Sequence, residues 1–309
     1  MNNTQDNKYT DPDILDSEID LLDLLNVIWQ GKSLILILTS LITLFTAVYS
    51  LNIPNFYKSE SILVSSDTND LKNFSQYSGL ASMAGINLPG SSSNSVIEVM
   101  EIIQSRQFVN HLLTFENVLP SLMAADSYDH ENEVLVFNAN IYDEKTNSWL
   151  VDNGLSLRPS YLEAHRVYIN EVMSISQDSK TGLVSVSVQH ISPFFASELL
   201  KLIITEANNL KRAKDINISK EALDFLKLEL AQTSLVEIKN SINQLIKAQL
   251  ETEMMAKVNE DYSLVIIEPP FVPDQKFGPN RTLMVVLALL IGSFFSFMVV
   301  LLRHYLLVK

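Results

Sequence analysis

The chain has 309 residues, with 22 Lys and Arg against 36 Asp and Glu, five His and no Cys, which gives a formal net charge of −14 at pH 7. This charge argues against nucleic acid as a partner, because binding needs clustered basic side chains that displace the counterions of the phosphates. The absence of Cys excludes disulfides, thiolate metal sites and Cys nucleophiles.

Two long uncharged runs lie near the ends of the chain. Leu34–Ile53 comprises 20 residues, which rise ~30 Å as a helix and match the hydrocarbon thickness of a bilayer. Thr282–Leu302 is a second such run, bracketed by Arg281 and Arg303. Each run predicts a transmembrane helix, and the first begins too far into a polar tail to be a cleaved signal peptide.

These spans divide the chain into five parts. The parts are an N-terminal tail at 1–33, the first span at 34–53, a large loop at 54–281, the second span at 282–302 and a C-terminal tail at 303–309. Basic residues flank the spans equally on the two sides, so charge does not decide the orientation. The economical arrangement leaves both tails in the cytoplasm and exports the loop.

The N-terminal tail becomes apolar just before the first span. Leu21, Leu24, Leu25 and Ile28 fall on one face of a helix. Two interpretations fit this pattern equally well, a helix that lies at the membrane interface and a cytoplasmic extension of the first span.

The large loop mixes strand and helix patterns. Residues 57–64 and 262–268 have strand character, and a helix is expected over 96–113. Residues 172–190 predict a β-hairpin, because valines alternate with polar residues in its second half. Since the first and last strands adjoin the spans, we expect them to pair with the hairpin in a compact α/β base close to the membrane.

A long helix follows the hairpin. Ser192 and Pro193 are typical of a helix start, and from Phe194 to Glu268 there is neither Gly nor Pro. The sequence predicts one helix over about 193–259, ~100 Å long if unbroken, with Asn217–Ser219 as the position of any interruption. A helix of this length has little room beside the base and is expected to project away from the membrane.

An apolar stripe with 3-4-3-4-3 spacing runs along this helix. It packs either against another helix of the same subunit or at a subunit interface, and the pattern leaves both alternatives open. Its members are Leu228, Ala231, Leu235, Ile238, Ile242 and Leu245.

No catalytic, cofactor or metal site is predicted. The five His residues lack the HExxH spacing of a zinc site. Gly85–Ser92 has the glycine spacing of a phosphate-binding loop, but Ser91 stands where that loop needs a lysine, so we interpret the segment as a flexible loop. The sequence therefore favours a membrane-anchored, non-enzymatic protein that acts through its shape.

The chain resembles the Wzz-type chain-length determinants, which are bacterial inner-membrane polysaccharide co-polymerases. The resemblance covers nearly the whole chain in order. The segments that carry it are EIDLLDLLNVIWQGK at 18–32, SGLASMAGINL at 78–88, DSKTGLVSVSVQHISPFFASELL at 178–200 and EPPFVPDQKFGPNR at 268–281, which abuts the glycine-bearing second span. The resemblance implies an α+β fold in which two transmembrane helices flank a periplasmic domain with a membrane-proximal α/β base and a long protruding helix.

The resemblance also implies partners and a function. We expect a ring-like homo-oligomer in the inner membrane lipid, beside a Wzy-type polymerase that builds O-antigen or a related glycan on undecaprenyl diphosphate. The protein would set how many repeat units are added. The short tail after the second span favours the kinase-free class of the family.

Two alternatives remain open at this stage. One is a membrane adaptor for capsule or exopolysaccharide export that activates a separate cytoplasmic tyrosine kinase. The other is a periplasmic sensor or exporter subunit with a coiled-coil hairpin.

The candidate site residues are structural. Pro269, Pro273 and Pro279 are expected to set a rigid approach to the membrane, because proline fixes φ and cannot continue a helix. Arg281 marks the start of the second span, and Gly292 would let the two spans approach closely. The candidate oligomer contacts are Leu235, Ile238, Ile242 and Leu245.

Overall fold

The computed structural model describes residue 27 and residues 29–65, 92–259 and 261–307. The chain forms two compact units. The helix-pair unit lies within Met1–Ile53 and Asn280–Lys309, and the central unit is Pro54–Pro279. The predicted helix at 21–28, the Gly85–Ser92 loop and the SGLASMAGINL segment lie wholly or mostly outside the described residues.

The described residues mix helices and strands, which confirms the predicted α+β class. The first helix is α1 (Lys32–Asn52), and the last is α8 (Arg281–Leu307). Between them, in chain order, are β1 (Tyr57–Ser65), α2 (Ser92–Gln104), α3 (Arg106–Leu112), α4 (Val118–Met123), β2 (Ala125–Asp129), β3 (Val134–Phe137), β4 (Tyr142–Asp143), β5 (Ser148–Trp149), β6 (Val151–Asp152), β7 (Leu155–Ser156), α5 (Tyr161–Val167), a π-helical turn (Tyr168–Val172), β8 (Met173–Gln177), β9 (Val184–His190), α6 (Pro193–Gln232), α7 (Val236–Val258) and β10 (Leu264–Glu268).

One four-stranded antiparallel sheet organises the central unit. Its strand order is β10-β1-β9-β8, so the strands expected near the two spans do pair with each other and with the hairpin. In β1 every second residue from Tyr57 to Leu63 is buried, and the valines of β9 are fully buried. This alternation is the pattern of a sheet with one face against a core.

Helices cover the buried face of the sheet. The predicted helix at 96–113 is divided at Ser105, whose Oγ accepts a hydrogen bond from Phe108 N (3.1 Å) and caps α3. The largest helical contribution to the core comes from α2, α3 and the first half of α6, with further side chains from α4 and α5. The buried residues of α2, α3 and α6 include Val99, Ile103, Phe108, Leu199, Leu200, Ile203 and Ile204.

A buried histidine fixes the start of α6. His190 Nε2 donates to Ser121 O (2.9 Å), while its Nδ1 accepts from Ser192 N (3.1 Å). Burial lowers the pKa of His190 to about 4, so the ring is neutral at pH 7. Ser192 Oγ in turn accepts from Phe195 N (3.2 Å), which confirms the predicted helix start.

The single long helix predicted over 193–259 is wrong. The structure has two helices, α6 of 40 residues and α7 of 23, joined at Thr233–Leu235. The interruption does not fall at Asn217, which lies inside α6. Thr and Ser side chains compete for backbone hydrogen bonds and weaken a helix at that point. Folding back also lets Leu226 pack against α7, which buries apolar surface that a straight helix would expose.

The region between α4 and α5 had no predicted elements. It contains three small antiparallel pairs, β2-β3, β4-β5 and β6-β7. The ring of Tyr142 packs against Phe137 in a tilted arrangement and against Trp149 edge to face, with ring centroids 5.3 and 5.2 Å apart. A capping box then opens α5, in which the side chains of Ser160 and Glu163 each bond the other's backbone N–H.

The Asn208 side chain on α6 holds the start of β10. Its removal tests how much these hydrogen bonds stabilise the central unit. Its Oδ1 accepts from Ser263 N (3.1 Å) and Leu264 N (3.0 Å), and its Nδ2 donates to Leu264 O (2.9 Å). We expect Asn208→Ala to lower the free energy of unfolding by about 2–3 kcal/mol, because buried backbone groups lose their partners. Urea unfolding of the full chain in detergent, followed by tryptophan fluorescence, measures this.

The matched control is the exposed neighbour Asn209, whose side chain donates to Glu206 Oε1 (3.0 Å) at the surface. Asn209→Ala is expected to change the unfolding free energy by less than about 0.5 kcal/mol. Equal losses in the two variants would contradict the role given to Asn208.

Candidate functional site

Both terminal helices are candidate membrane spans. α1 and α8 are long and apolar enough to cross a bilayer, judged by length and composition. Many of their large apolar side chains are exposed, including Phe45 at 72% and Phe294 at 75%. Exposed apolar surfaces of this kind suit contact with lipid. These two helices therefore indicate a membrane protein with a large domain between its two candidate spans.

Gly292 lies where the two spans touch. It is buried, and a Cβ at this position would lie 3.3 Å from Ile42 Cγ2 on α1. One turn later, the fully buried Ser296 Oγ donates to Gly292 O (2.6 Å) and lies 3.1 Å from Thr39 Oγ1. Small residues allow two spans to approach and hydrogen-bond in this way. The predicted functional role of Gly292 stays a prediction.

Gly31 is a second close contact, which the sequence analysis missed. A Cβ at Gly31 would lie only 2.5 Å from Val300 Cγ1, so a larger residue would force Val300 to move. Gly31 lies just before the first apolar run, so it falls outside the predicted span at 34–53. A search for glycine at both ends of each span would have found it.

Arg281 connects the beginning of α8 to the end of α1. Its Nε donates to Ser50 O (3.0 Å) and its Nη2 donates to Ile53 O (3.1 Å). The last carbonyls of a helix have no partner within the helix, and they favour a nearby cation. Arg281 is therefore a cap for the first span, whereas the sequence indicated only that it marks the start of the second.

The proline segment, residues 268–279, is attached to β1 by two buried serines. Ser61 Oγ donates to Glu268 O (2.7 Å), and Ser59 Oγ donates to Phe271 O (2.7 Å). These bonds extend the contact of β1 beyond the end of β10, so the segment runs along the sheet instead of forming a free linker.

The three predicted prolines differ in their surroundings. Pro273 is buried, Pro279 is half-buried and follows a cis peptide bond, and Pro269 is exposed. The segment ends at an antiparallel bridge in which Phe56 N donates to Gly278 O (2.8 Å). Hydrogen bonds from β1 therefore hold this segment against the sheet. The rigid approach to the membrane expected from the three prolines stays a prediction.

The predicted oligomer contacts are split by the hairpin of α6 and α7. Ile242 and Leu245 are buried and pack against Leu226 of the same chain. Leu235 in the connection is 57% exposed, and Ile238 at the start of α7 is 43% exposed. The first pair thus serves the fold of the hairpin, and the second pair is free for an external contact.

Histidines in the central unit make contacts typical of structural residues. His111 Nε2 lies 2.6 Å from Glu206, His165 Nε2 lies 2.9 Å from Gln104 O, and His130 contacts Tyr57. Within the described ranges, no group of three His, Asp or Glu side chains is placed to hold a metal ion.

A protein-family comparison matches the first third of the chain. The family model described as "Wzz: Chain length determinant protein" matches residues 17–114, which include α1, β1, α2 and α3. The resemblance to the Wzz-type chain-length determinants predicted from the sequence is therefore confirmed over these residues. A comparison with curated protein sequences found no match.

Solved structures of polysaccharide co-polymerases are similar to this chain at low identity. One, described as a full-length bacterial polysaccharide co-polymerase, is 14% identical, with a TM-score of 0.39 and coverage of 93% of this chain and 98% of its own. Another, a fragment of WzzB, a polysaccharide co-polymerase from Salmonella Typhimurium, is 14% identical, with a TM-score of 0.32 and coverage of 72% of this chain and 100% of its own.

The Gly292 contact gives a testable prediction about the span pair. We expect Gly292→Leu to destabilise the full chain in detergent by about 1–3 kcal/mol, because the added side chain overlaps Ile42. Adding Ile42→Ala removes the overlapping atoms and is expected to restore part of the loss. Thermal unfolding of the purified variants measures both effects.

Ser40→Leu is the matched control, since Ser40 is an exposed small residue of α1. It is expected to leave the unfolding temperature unchanged. If Gly292→Leu is as stable as the natural chain, or if Ile42→Ala brings no recovery, the close contact described here does not hold in the protein.

Proposed function

We propose that this protein is a non-enzymatic, homo-oligomeric scaffold of the bacterial inner membrane that regulates the chain length of O-antigen or a related surface polysaccharide. The observation that carries the proposal is the family match over residues 17–114. In this proposal residues 54–281 lie in the periplasm, and both tails lie in the cytoplasm. The partners are a Wzy-type polymerase and its undecaprenyl-diphosphate-linked glycan. The kinase-free class stays a prediction.

The two candidate spans support a scaffold held at the membrane where the glycan is built. Polymerisation itself needs no catalytic group from this chain, since bond formation belongs to the polymerase. A regulator of length has to change the balance between adding a repeat unit and releasing the product. A rigid surface beside the polymerase can do this by favouring one of the two steps for a bound chain.

The turn region of α6 and α7 supports the homo-oligomer. Five large apolar residues close to the turn are exposed by 43–70%, and they are Phe225, Leu228, Leu235, Val236 and Ile238. Exposed apolar residues grouped in one region are typical of a protein contact. We propose that this group, the hairpin-turn surface, packs against neighbouring subunits.

Deletion of the gene tests the function. Without a regulator, each growing chain has a constant chance of release after every addition, so short products are the commonest. We therefore expect the clustered band of long chains on a polysaccharide gel to collapse to a short-biased ladder. Expression of the natural chain from a plasmid is expected to restore the cluster.

Two controls make the result specific. The empty plasmid must leave the ladder collapsed, and a strain without the polymerase must show no ladder at all. An unchanged distribution in the deletion strain, or complete loss of the glycan, contradicts length regulation. Loss of tyrosine phosphorylation on a partner kinase would favour the export-adaptor alternative instead.

A further inference from the structure

An open cleft of about 450 Å³ is lined by the end of α4, by residues 156–159 and by one side of α5. This volume falls within the range of ~300–1,000 Å³ found for small-ligand sites. Part of its lining is apolar and half-buried, and the side chains there are Met123, Leu157, Pro159 and Val167. The exposed Arg158 and Arg166 also line the cleft.

The two arginines are available to a ligand. Among the residues that the structure describes, neither guanidinium forms an ion pair or a side-chain hydrogen bond. The backbone N–H of Arg158 bonds Ser156 Oγ (3.2 Å), which fixes the turn that carries it. Like charges at one cleft repel each other, and an anion between them removes this repulsion.

One acidic residue also lines the cleft, and its carboxylate is already in use. Glu163 Oε2 accepts from Ser160 N (2.8 Å) and Ser160 Oγ (3.0 Å) in the capping box of α5. These bonds, helped by the charge of Arg166, hold the pKa of Glu163 below its ordinary value. The ionised Glu163 balances one guanidinium, so the cleft keeps one net positive charge in a chain whose net charge is −14.

We propose that this cleft binds an acidic sugar residue of the polysaccharide, with its carboxylate held by Arg158 and Arg166. A guanidinium offers paired N–H donors that match a carboxylate. A sugar ring presents C–H groups on its faces, which suit the apolar lining, and hydroxyl groups at its edge. A lining that combines apolar side chains with two guanidiniums thus fits a uronate better than a bare inorganic anion. The inference rests on the proposed function, because it names the chemistry of the glycan that the protein would contact.

Binding of a defined oligosaccharide tests the cleft independently of length control. The full chain in detergent is titrated calorimetrically with trigalacturonate, with maltotriose as the neutral trisaccharide and with inorganic phosphate. We expect trigalacturonate to bind and the other two to bind at least ~10-fold more weakly. The Arg158→Gln, Arg166→Gln double variant is expected to weaken trigalacturonate binding by ~10-fold or more.

Two further variants separate recognition from general charge. Arg106→Gln removes an exposed arginine that does not line the cleft, and it is expected to leave binding unchanged. Arg166→Lys keeps the charge but loses the paired donors, so binding intermediate between the natural chain and the double variant is expected. Circular dichroism must show that all the variants are folded.

Three results would overturn the proposal. They are no binding of trigalacturonate by the natural chain, equal binding of phosphate, and no effect of the double variant. In each case the deletion and complementation gel still reports on length regulation. If the natural chain restores the long-chain band but binds no trigalacturonate, the proposal about the cleft is wrong. The proposed function in length regulation is still supported by that result.

Discussion

The antiparallel pairing of β1 with β10 is the constraint on which the central unit depends. These strands are the first and last of the unit, and their pairing closes a chain of about two hundred residues. The bridge between Phe56 and Gly278 continues the pairing to the ends of the unit. The segments between them that are not strands of this sheet, including the long helices, must therefore leave the sheet and return to it.

This return explains why the predicted 193–259 helix could not be continuous. A straight helix of that length would end ~100 Å from its start. The five residues between Val258 and Leu264 reach at most ~18 Å, so the chain could not rejoin β1. The hairpin solves the problem, since Arg212 Nη2 donates to Asn259 O (3.0 Å) and holds the end of α7 beside α6. The predicted pairing of the strands at 57–64 and 262–268 was therefore already incompatible with one continuous helix.

Local patterns determined how much the sequence could predict. The valines of β9 and the Ser192–Pro193 helix start act within a few residues, so periodicity and capping rules found them. Arg281 and Gly31 act across more than two hundred residues, and no local pattern shows their partners. The cleft at Arg158 and Arg166 also escaped, because its lining comes from short elements with little periodicity. The contacts at the candidate sites were thus less predictable from the sequence than the strands and helices that carry them.

One measurement tests the central claim, that an oligomer built through the hairpin-turn surface sets glycan length. Leu235 and Ile238 are changed together to Glu, and oligomer mass and glycan distribution are measured in the same cells, with Asn243→Glu as the exposed polar control on α7. Burial of unpaired carboxylates is strongly unfavourable, so the account predicts smaller assemblies together with loss of the long-chain cluster, and no change in the control. Smaller assemblies with an unchanged cluster, or full-size assemblies from the double variant, would contradict it.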